Sequence, residues 1–104
     1  MVIDAKKDGK TLQVALEGRL DTTTAPQLDE FLKQSLGGME SLTVDMEKLE
    51  YISSAGLRVL FHAQKALNGK NSVKVTHVSE VLEEIFDVTG FSRILTIERE
   101  EDRQ

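Results

Sequence analysis

Two adjacent serines stand where phosphate chemistry is feasible. Ser53 and Ser54 follow a strand-like segment, residues 42–46, and precede an amphipathic helix. The first N–H groups of a helix lack internal partners and carry the positive end of the helix dipole. Ser54 could therefore cap the helix, or it could carry a phosphate that meets ready donors. The residues alone leave both uses open.

A hydrolase is a second interpretation of the same serines. Residues 52–56 match half of a G-x-S-x-G nucleophile elbow, with Ile52 where the first glycine should stand. His77 comes later in the chain and could serve as the base. No oxyanion-hole glycine motif precedes the serines, so the catalytic set is incomplete. We therefore predict no enzyme activity and no catalytic residue.

Asp21 and Asp45 suggest a third interpretation, a metal-assisted phosphoryl receiver. Receivers need an acidic pair, a phosphoacceptor aspartate and a lysine late in the chain. The last predicted strand, residues 94–97, has no lysine, and the helical neighbours of His62 are neither carboxylates nor histidines. The sequence accordingly predicts neither a metal site nor a cofactor.

The predicted elements are a β-hairpin turning at Asp8-Gly9, followed by the order α-β-α-β-α-β. Strands are predicted at residues 2–6, 11–18, 42–46, 72–78 and 94–97. Helices are predicted at residues 24–36, with Thr24 and Gln27 as a capping box, at residues 55–67, and after Ser79, with Val81 facing inward. We expect an α/β fold with a mixed sheet of about five strands and helices mainly on one face.

Functional groups of α/β sheets gather beyond the carboxyl ends of the strands. We expect one edge of this sheet to carry Asp21, Thr22, Thr23, Asp45, Ser53, Ser54 and His77.

Composition narrows the classes of partner. The 104 residues suffice for one domain, residues 1–104, with 98–104 as a flexible acidic tail. The net charge of −5 and the scattered basic residues argue against nucleic acid as a partner. Charged residues follow Met1 at once and no long apolar run occurs, so we expect no signal peptide, no membrane span and a cytoplasmic protein.

Two segments resemble the STAS domain family, and within it the single-domain anti-sigma factor antagonists. Residues 14–25, VALEGRLDTTTA, are similar to the family's strand, G-x-L-D turn and entry into the first helix. Residues 42–57, which end in YISSAGL, are similar to its D-S-S/T/A-G-L segment. Residues 88–91 add a weaker likeness. The resemblance extends over approximately residues 2–97.

The resemblance implies a phosphorylation switch at Ser54. In that family, a partner that is both anti-sigma factor and serine kinase phosphorylates the matching serine. The unphosphorylated antagonist binds this partner, phosphorylation breaks the complex, and a phosphatase resets it. Asp21 matches an aspartate that helps to dock the partner. The implied partner-binding residues are Asp21, Thr22, Ser53, Ser54, Ala55 and Gly56.

The chain departs from the family pattern at one position, where Ser53 replaces the usual aspartate before the acceptor. The change removes a charge from the docking surface and offers a second hydroxyl. The alternative function is therefore a STAS subunit of a stress-signalling or lipid-transport assembly that is not phosphorylated. A monomer or weak dimer is expected in either case.

Overall fold

A computed structural model describes residues 1–69 and 72–99 of the chain. Its strands are β1 Val2–Asp8, β2 Thr11–Leu20, β3 Ser41–Ile52, β4 Val73–Val78 and β5 Thr96–Arg99. Its helices are α1 Ala25–Ser35, α2 Ser54–Leu67 and α3 Glu80–Thr89, followed by the 3-10 turn Phe91–Arg93. The predicted flexible tail, residues 98–104, is wrong for Glu98 and Arg99, which belong to β5, and its remainder lies outside the described residues. Among the described helices, none has the length and apolar character that crossing a membrane requires.

The five strands form one sheet in the order β1-β2-β3-β4-β5. β1 and β2 pair antiparallel through the predicted hairpin, and the other neighbours pair parallel. Since each parallel strand lies beside its predecessor, right-handed crossovers put α1, α2 and α3 on the same face. The predicted α/β fold with a mixed five-stranded sheet is confirmed.

The core lies between the sheet and the helices. Leu12, Val14 and Leu16 alternate along β2 and are each at most 2% exposed, as their period of two predicts. The residues between them belong to the opposite surface, which no described helix covers. We call this surface the open face; it includes Gln13, Ala15, Thr43, Asp45, Lys74 and Thr76.

β3 is much longer than the predicted segment 42–46. From Ala15 to Leu20, β2 advances five residues, whereas the paired stretch of β3, from Asp45 to Ile52, advances seven. Register shifts absorb the two extra residues. After Met46, two consecutive residues point outward before each buried one. The period of two that identifies a strand is lost there, although the strand continues.

The helix ends agree only in part with the predictions. Thr24 precedes α1 as predicted, but its side chain makes no cap bond, so the predicted capping box is wrong. Ser79 caps α3 by accepting from the N–H of Leu82, and Gly90 ends the helix with a left-handed backbone, as predicted. Val81 is 61% exposed rather than inward.

Candidate functional site

The carboxyl ends of β2 and β3 lie side by side. Leu20 pairs with Ile52, and the N–H of Ser53 donates to the carbonyl oxygen of Leu20 at 2.9 Å. Hydrogen bonding between β2 and β3 thus continues to the point where both strands leave the sheet. Asp21 follows β2, and Ser53 and Ser54 follow β3. The pairing of the two strands therefore brings these residues to one edge of the sheet, as predicted.

Asp21 organises the loop that leads into α1. Its Oδ1 accepts from the N–H and hydroxyl of Thr23, at 3.0 and 2.8 Å, and from the N–H of Thr24 at 3.2 Å. The hydroxyl of Thr24 donates to the carbonyl oxygen of Arg19 instead of capping the helix. Asp21 therefore satisfies the N–H of Thr24, one of the two N–H groups that the capping box would satisfy. The other, the N–H of Gln27, donates to the carbonyl oxygen of Thr24.

These hydrogen bonds favour the charged carboxylate. The Thr23 hydroxyl bond, helped by the backbone bonds and opposed by desolvation, lowers the pKa of Asp21 from its ordinary value. Asp21 is consequently ionised at neutral pH and places a fixed negative charge on this edge. That charge is a feature a partner could recognise.

Ser53 is the N-cap of α2. Its backbone is extended and its hydroxyl accepts from the N–H of Gly56 at 3.4 Å. The carbonyl oxygen of Ser53 accepts the N–H of Leu57. The interpretation that Ser54 itself caps the helix is therefore wrong, because its predecessor holds that position.

Ser54 is the first residue of α2 and is exposed. Within the part of the chain that the structure describes, its hydroxyl makes no hydrogen bond. The first turn of α2 contains no acidic residue. Ser54 thus presents a free hydroxyl at the positive end of a helix dipole, where a negative group is stabilised.

Gly56 allows α2 to begin at this place. A Cβ atom there would lie 2.7 Å from Cγ of Leu20 and 2.9 Å from Cγ1 of Ile52. Both neighbours are almost fully buried. Gly56, expected among the partner-binding residues, is itself buried and brings the first turn of α2 against the ends of both strands.

Thr22 and Ala55 line one shallow pocket of about 220 Å³ between the loop after β2 and the start of α2. Arg58 and Pro26 also line it. The residues expected to bind a partner thus come from two segments that meet in space. Arg58 adds a positive charge one helical turn after Ser54.

The sequence analysis missed one pair at this edge. The guanidinium of Arg19 lies 4.6 Å from the centre of the Tyr51 ring, and its Nε lies 3.7 Å from Oδ2 of Asp21. Arg19 and Tyr51 are paired across β2 and β3. The signal available in the sequence was their position, each one residue before the final buried residue of its strand.

Asp45 and His77 do not belong to this edge, which corrects the expected constellation. Asp45 pairs with Ala15, five residues of β2 before Leu20, which amounts to about 17 Å along the strand. His77 lies with Asp45, its Nδ1 3.0 Å from Oδ1. His77, the base of the hydrolase interpretation, therefore does not lie beside the serines.

Comparison with known proteins identifies the family of this chain. A family model described as "Mlab, STAS domain" matches residues 3–96. An anti-sigma-B factor antagonist of Bacillus subtilis is 30% identical over 96 residues, covering 91% of this chain and 88% of that protein.

Solved structures share the fold. An anti-sigma factor antagonist from Mycobacterium paratuberculosis superposes with a TM-score of 0.84 at 19% identity, covering 97% of this chain and 87% of that one. The Bacillus cell fate determinant SpoIIAA in its phosphorylated form gives a TM-score of 0.71 at 16% identity, covering 97% and 95%. With the family match spanning nearly all of the described residues, the chain belongs to the STAS domain family.

Proposed function

We propose that this protein is an anti-sigma factor antagonist switched by phosphorylation of Ser54. Unphosphorylated, it binds an anti-sigma factor that is also a serine kinase, in the cytoplasm. Phosphorylation ends the complex, and a phosphatase restores it. The name of the Bacillus subtilis relative and the existence of a phosphorylated form of SpoIIAA support this assignment.

The observation that supports the proposal most directly is that two adjacent serines differ in hydrogen bonding and exposure. The hydroxyl of Ser53 accepts the N–H of Gly56 and lies half-buried, whereas Ser54 is exposed and has no partner among the described residues. A kinase can therefore reach Ser54 without breaking the helix cap. Modification of Ser53 would remove that cap.

Local electrostatics explain how the switch would act. A phosphate adds about −1.5 to −2 charges at pH 7. On Ser54 it would lie near the unpaired N–H groups of α2, so the fold would tolerate it. The ionised carboxylate of Asp21 follows the neighbouring strand, so the edge would become more negative. A partner matched to the unmodified surface would meet repulsion and added bulk.

The proposed partner surface consists of Asp21, Thr22, Ser53, Ser54, Ala55 and Gly56. The first five form its accessible part, and the buried glycine sets the position of α2. In this scheme the protein has no catalytic residue and serves as the substrate of its kinase and phosphatase. It acts as a monomer or weak dimer.

A second candidate is a STAS subunit of a stress-signalling or lipid-transport assembly that works without phosphorylation. Ser53, in the position of the usual aspartate, favours it because a kinase that requires the negative charge would act poorly here. The matching family model is described as "Mlab, STAS domain", and that description does not mention an anti-sigma factor.

Incubation with ATP and the anti-sigma kinase encoded nearest to this protein separates the two candidates. Mass spectrometry of the intact protein should show one added phosphate in the wild type and in Ser53→Ala. Ser54→Ala should receive none. Absence of phosphate from the wild type, with a kinase active on its own antagonist, would favour the second candidate.

A further inference from the structure

A histidine and two carboxylates meet on the open face, away from Ser54. Asp45 and Glu47 come from β3 and His77 from β4, and one ligand atom of each lies within 4.8 Å of the other two. Nδ1 of His77 is 3.0 Å from Oδ1 of Asp45. We call these three residues the open-face cluster. Their chemistry, one imidazole nitrogen and two carboxylate oxygens, is that of a metal-ligand set.

An irregular backbone directs His77 to this cluster. Val75 and Val78 are buried, while Thr76 and His77 between them both point outward. His77 has a φ of 55°, in the left-handed region that few residues other than glycine adopt. In a regular strand its side chain would face the helices. The turned backbone places the imidazole beside Asp45 instead.

β3 is irregular at the same level. The N–H of Glu47 donates to Oδ1 of Asp45 at 3.0 Å, and both Glu47 and Lys48 are exposed. The register with β2 shifts between Ala15 and Glu17. Bulges of this kind redirect side chains. Two neighbouring strands thus depart from regular pleating where their side chains converge.

The surroundings favour a cation. A pocket of about 250 Å³ on this side of the sheet contains two residues of the cluster, Asp45 and Glu47. Its other charged lining residues are Asp4, Glu17 and Lys48. Four carboxylates against one ammonium group give the pocket a negative potential that attracts positive ions.

We propose that Asp45, Glu47 and His77 bind one divalent transition-metal ion of the Zn²⁺ type. Ligand atoms about 2.0–2.2 Å from a tetrahedral ion lie about 3.3–3.6 Å apart. The hydrogen bond between His77 and Asp45 is 3.0 Å long, so these two atoms need to separate by only a few tenths of an ångström to bind the ion together. Rotation of the exposed Glu47 side chain supplies the third oxygen, and water completes the coordination. The imidazole selects this type of ion over Mg²⁺ and Ca²⁺, which prefer oxygen ligands.

The three ligands come from two strands: Asp45 and Glu47 lie on β3, separated by one residue, and His77 lies on β4. No ligand spacing along the sequence could therefore reveal the site. It lies about 17 Å along the strands from the carboxyl edge, and it rests on observations separate from those that support phosphorylation of Ser54.

Titration of the untagged protein with Zn²⁺, followed by calorimetry, tests the proposal. His77→Asn is the main variant, because asparagine tolerates the left-handed backbone and is a poor zinc ligand. His62→Asn on α2 is the matched control, since it removes the other histidine. Even loss of an outer-shell partner costs about 10- to 100-fold in metal affinity, so His77→Asn should weaken binding at least tenfold. His62→Asn should bind as the wild type does.

Two further measurements keep the test independent of folding. Asp45→Asn should also lose affinity, and both variants should retain the wild-type circular dichroism spectrum. In NMR spectra, Co²⁺ should broaden the amide signals of residues 43–48 and 76–78 first. The proposal is overturned if the wild type does not bind Zn²⁺, if His62→Asn loses as much affinity as His77→Asn, or if Co²⁺ broadens another region.

Discussion

The N–H of Ser53 donates to the carbonyl oxygen of Leu20 at 2.9 Å, one step beyond the last paired residues of β2 and β3. This bond joins the end of one strand to the start of α2. Asp21 and Ser54 are each the next residue along their segments. A charge introduced on Ser54 would therefore lie beside a loop that is already organised by an ionised carboxylate.

Gly56→Ala should destabilise the protein. The new methyl group would meet Leu20 and Ile52 at 2.7 and 2.9 Å, and these buried side chains have little room to move. Overpacking of this kind costs about 1–3 kcal/mol, whereas alanine gains roughly 1 kcal/mol in helix propensity, so we expect a net loss of up to about 2 kcal/mol. Urea unfolding should show the loss.

Gly37→Ala is the control for that variant, because a Cβ atom there meets nothing within 4 Å. Its unfolding midpoint should equal or exceed that of the wild type. Equal stability of Gly56→Ala and Gly37→Ala would show that the close packing of α2 on the strand ends is wrong.

Substitution of the two serines by alanine should affect stability differently. Ser53→Ala removes the cap of α2 and should cost about 0.5–1 kcal/mol, the lower part of the usual range because the bond to Gly56 is 3.4 Å long. Ser54→Ala should leave the free energy of unfolding unchanged within a few tenths of a kcal/mol. Chemical unfolding measures the free energy of unfolding of both variants. A larger loss in Ser54→Ala than in Ser53→Ala would assign the cap to Ser54.

The contribution of Asp21 to stability should depend on pH. Its folded-state pKa lies below the ordinary value of 3.8, so folding favours the charged form. The stabilisation is present above pH 3.8 and is lost as the pH falls through the folded-state pKa. The difference in melting temperature between wild type and Asp21→Asn should therefore vanish in acid. A difference that grows in acid would contradict this assignment.

Thr23→Val provides the matched test of the cause. It removes the hydroxyl that makes the largest contribution to the lowered pKa of Asp21 while keeping a similar shape. Titration of the Asp21 carboxyl by NMR should give a higher pKa in Thr23→Val than in the wild type. An unchanged pKa would mean that a group other than the Thr23 hydroxyl stabilises the ionised carboxylate of Asp21.

Periodicity predicted the fold well where strands are regular. Leu12, Val14 and Leu16 alternate strictly, and they are buried as expected. The prediction failed in β3, because bulges after Met46 replace the alternation by two outward residues in succession. Bulges depend on pairing with a neighbouring strand, which local sequence does not encode.

Dependence on pairing between strands also explains which parts of the site could be predicted from the sequence. Asp21 and Ser53 were predicted together because both end parallel strands, and strand ends depend only on order and direction. Asp45 was misplaced because the length of β3 was underestimated. The left-handed backbone of His77 and the pairing of Arg19 with Tyr51 depend on register between strands, so neither was predicted.

Ser54→Asp should fold as the wild type does. The first turn of α2 has no acidic residue, and a carboxylate there interacts favourably with the helix dipole. Its melting temperature should equal that of the wild type or rise slightly, as calorimetry would show. A large loss of stability would mean that the switch acts by unfolding rather than by surface charge.

The most direct test is the affinity of the anti-sigma partner for the unmodified protein and for the protein phosphorylated on Ser54. Our account predicts at least about a tenfold loss on phosphorylation, equal to about 1.4 kcal/mol, with an unchanged fold by NMR. Ser54→Ala should bind like the unmodified protein before and after exposure to the kinase. Equal affinity of both forms, or a phosphate located on Ser53, would contradict it.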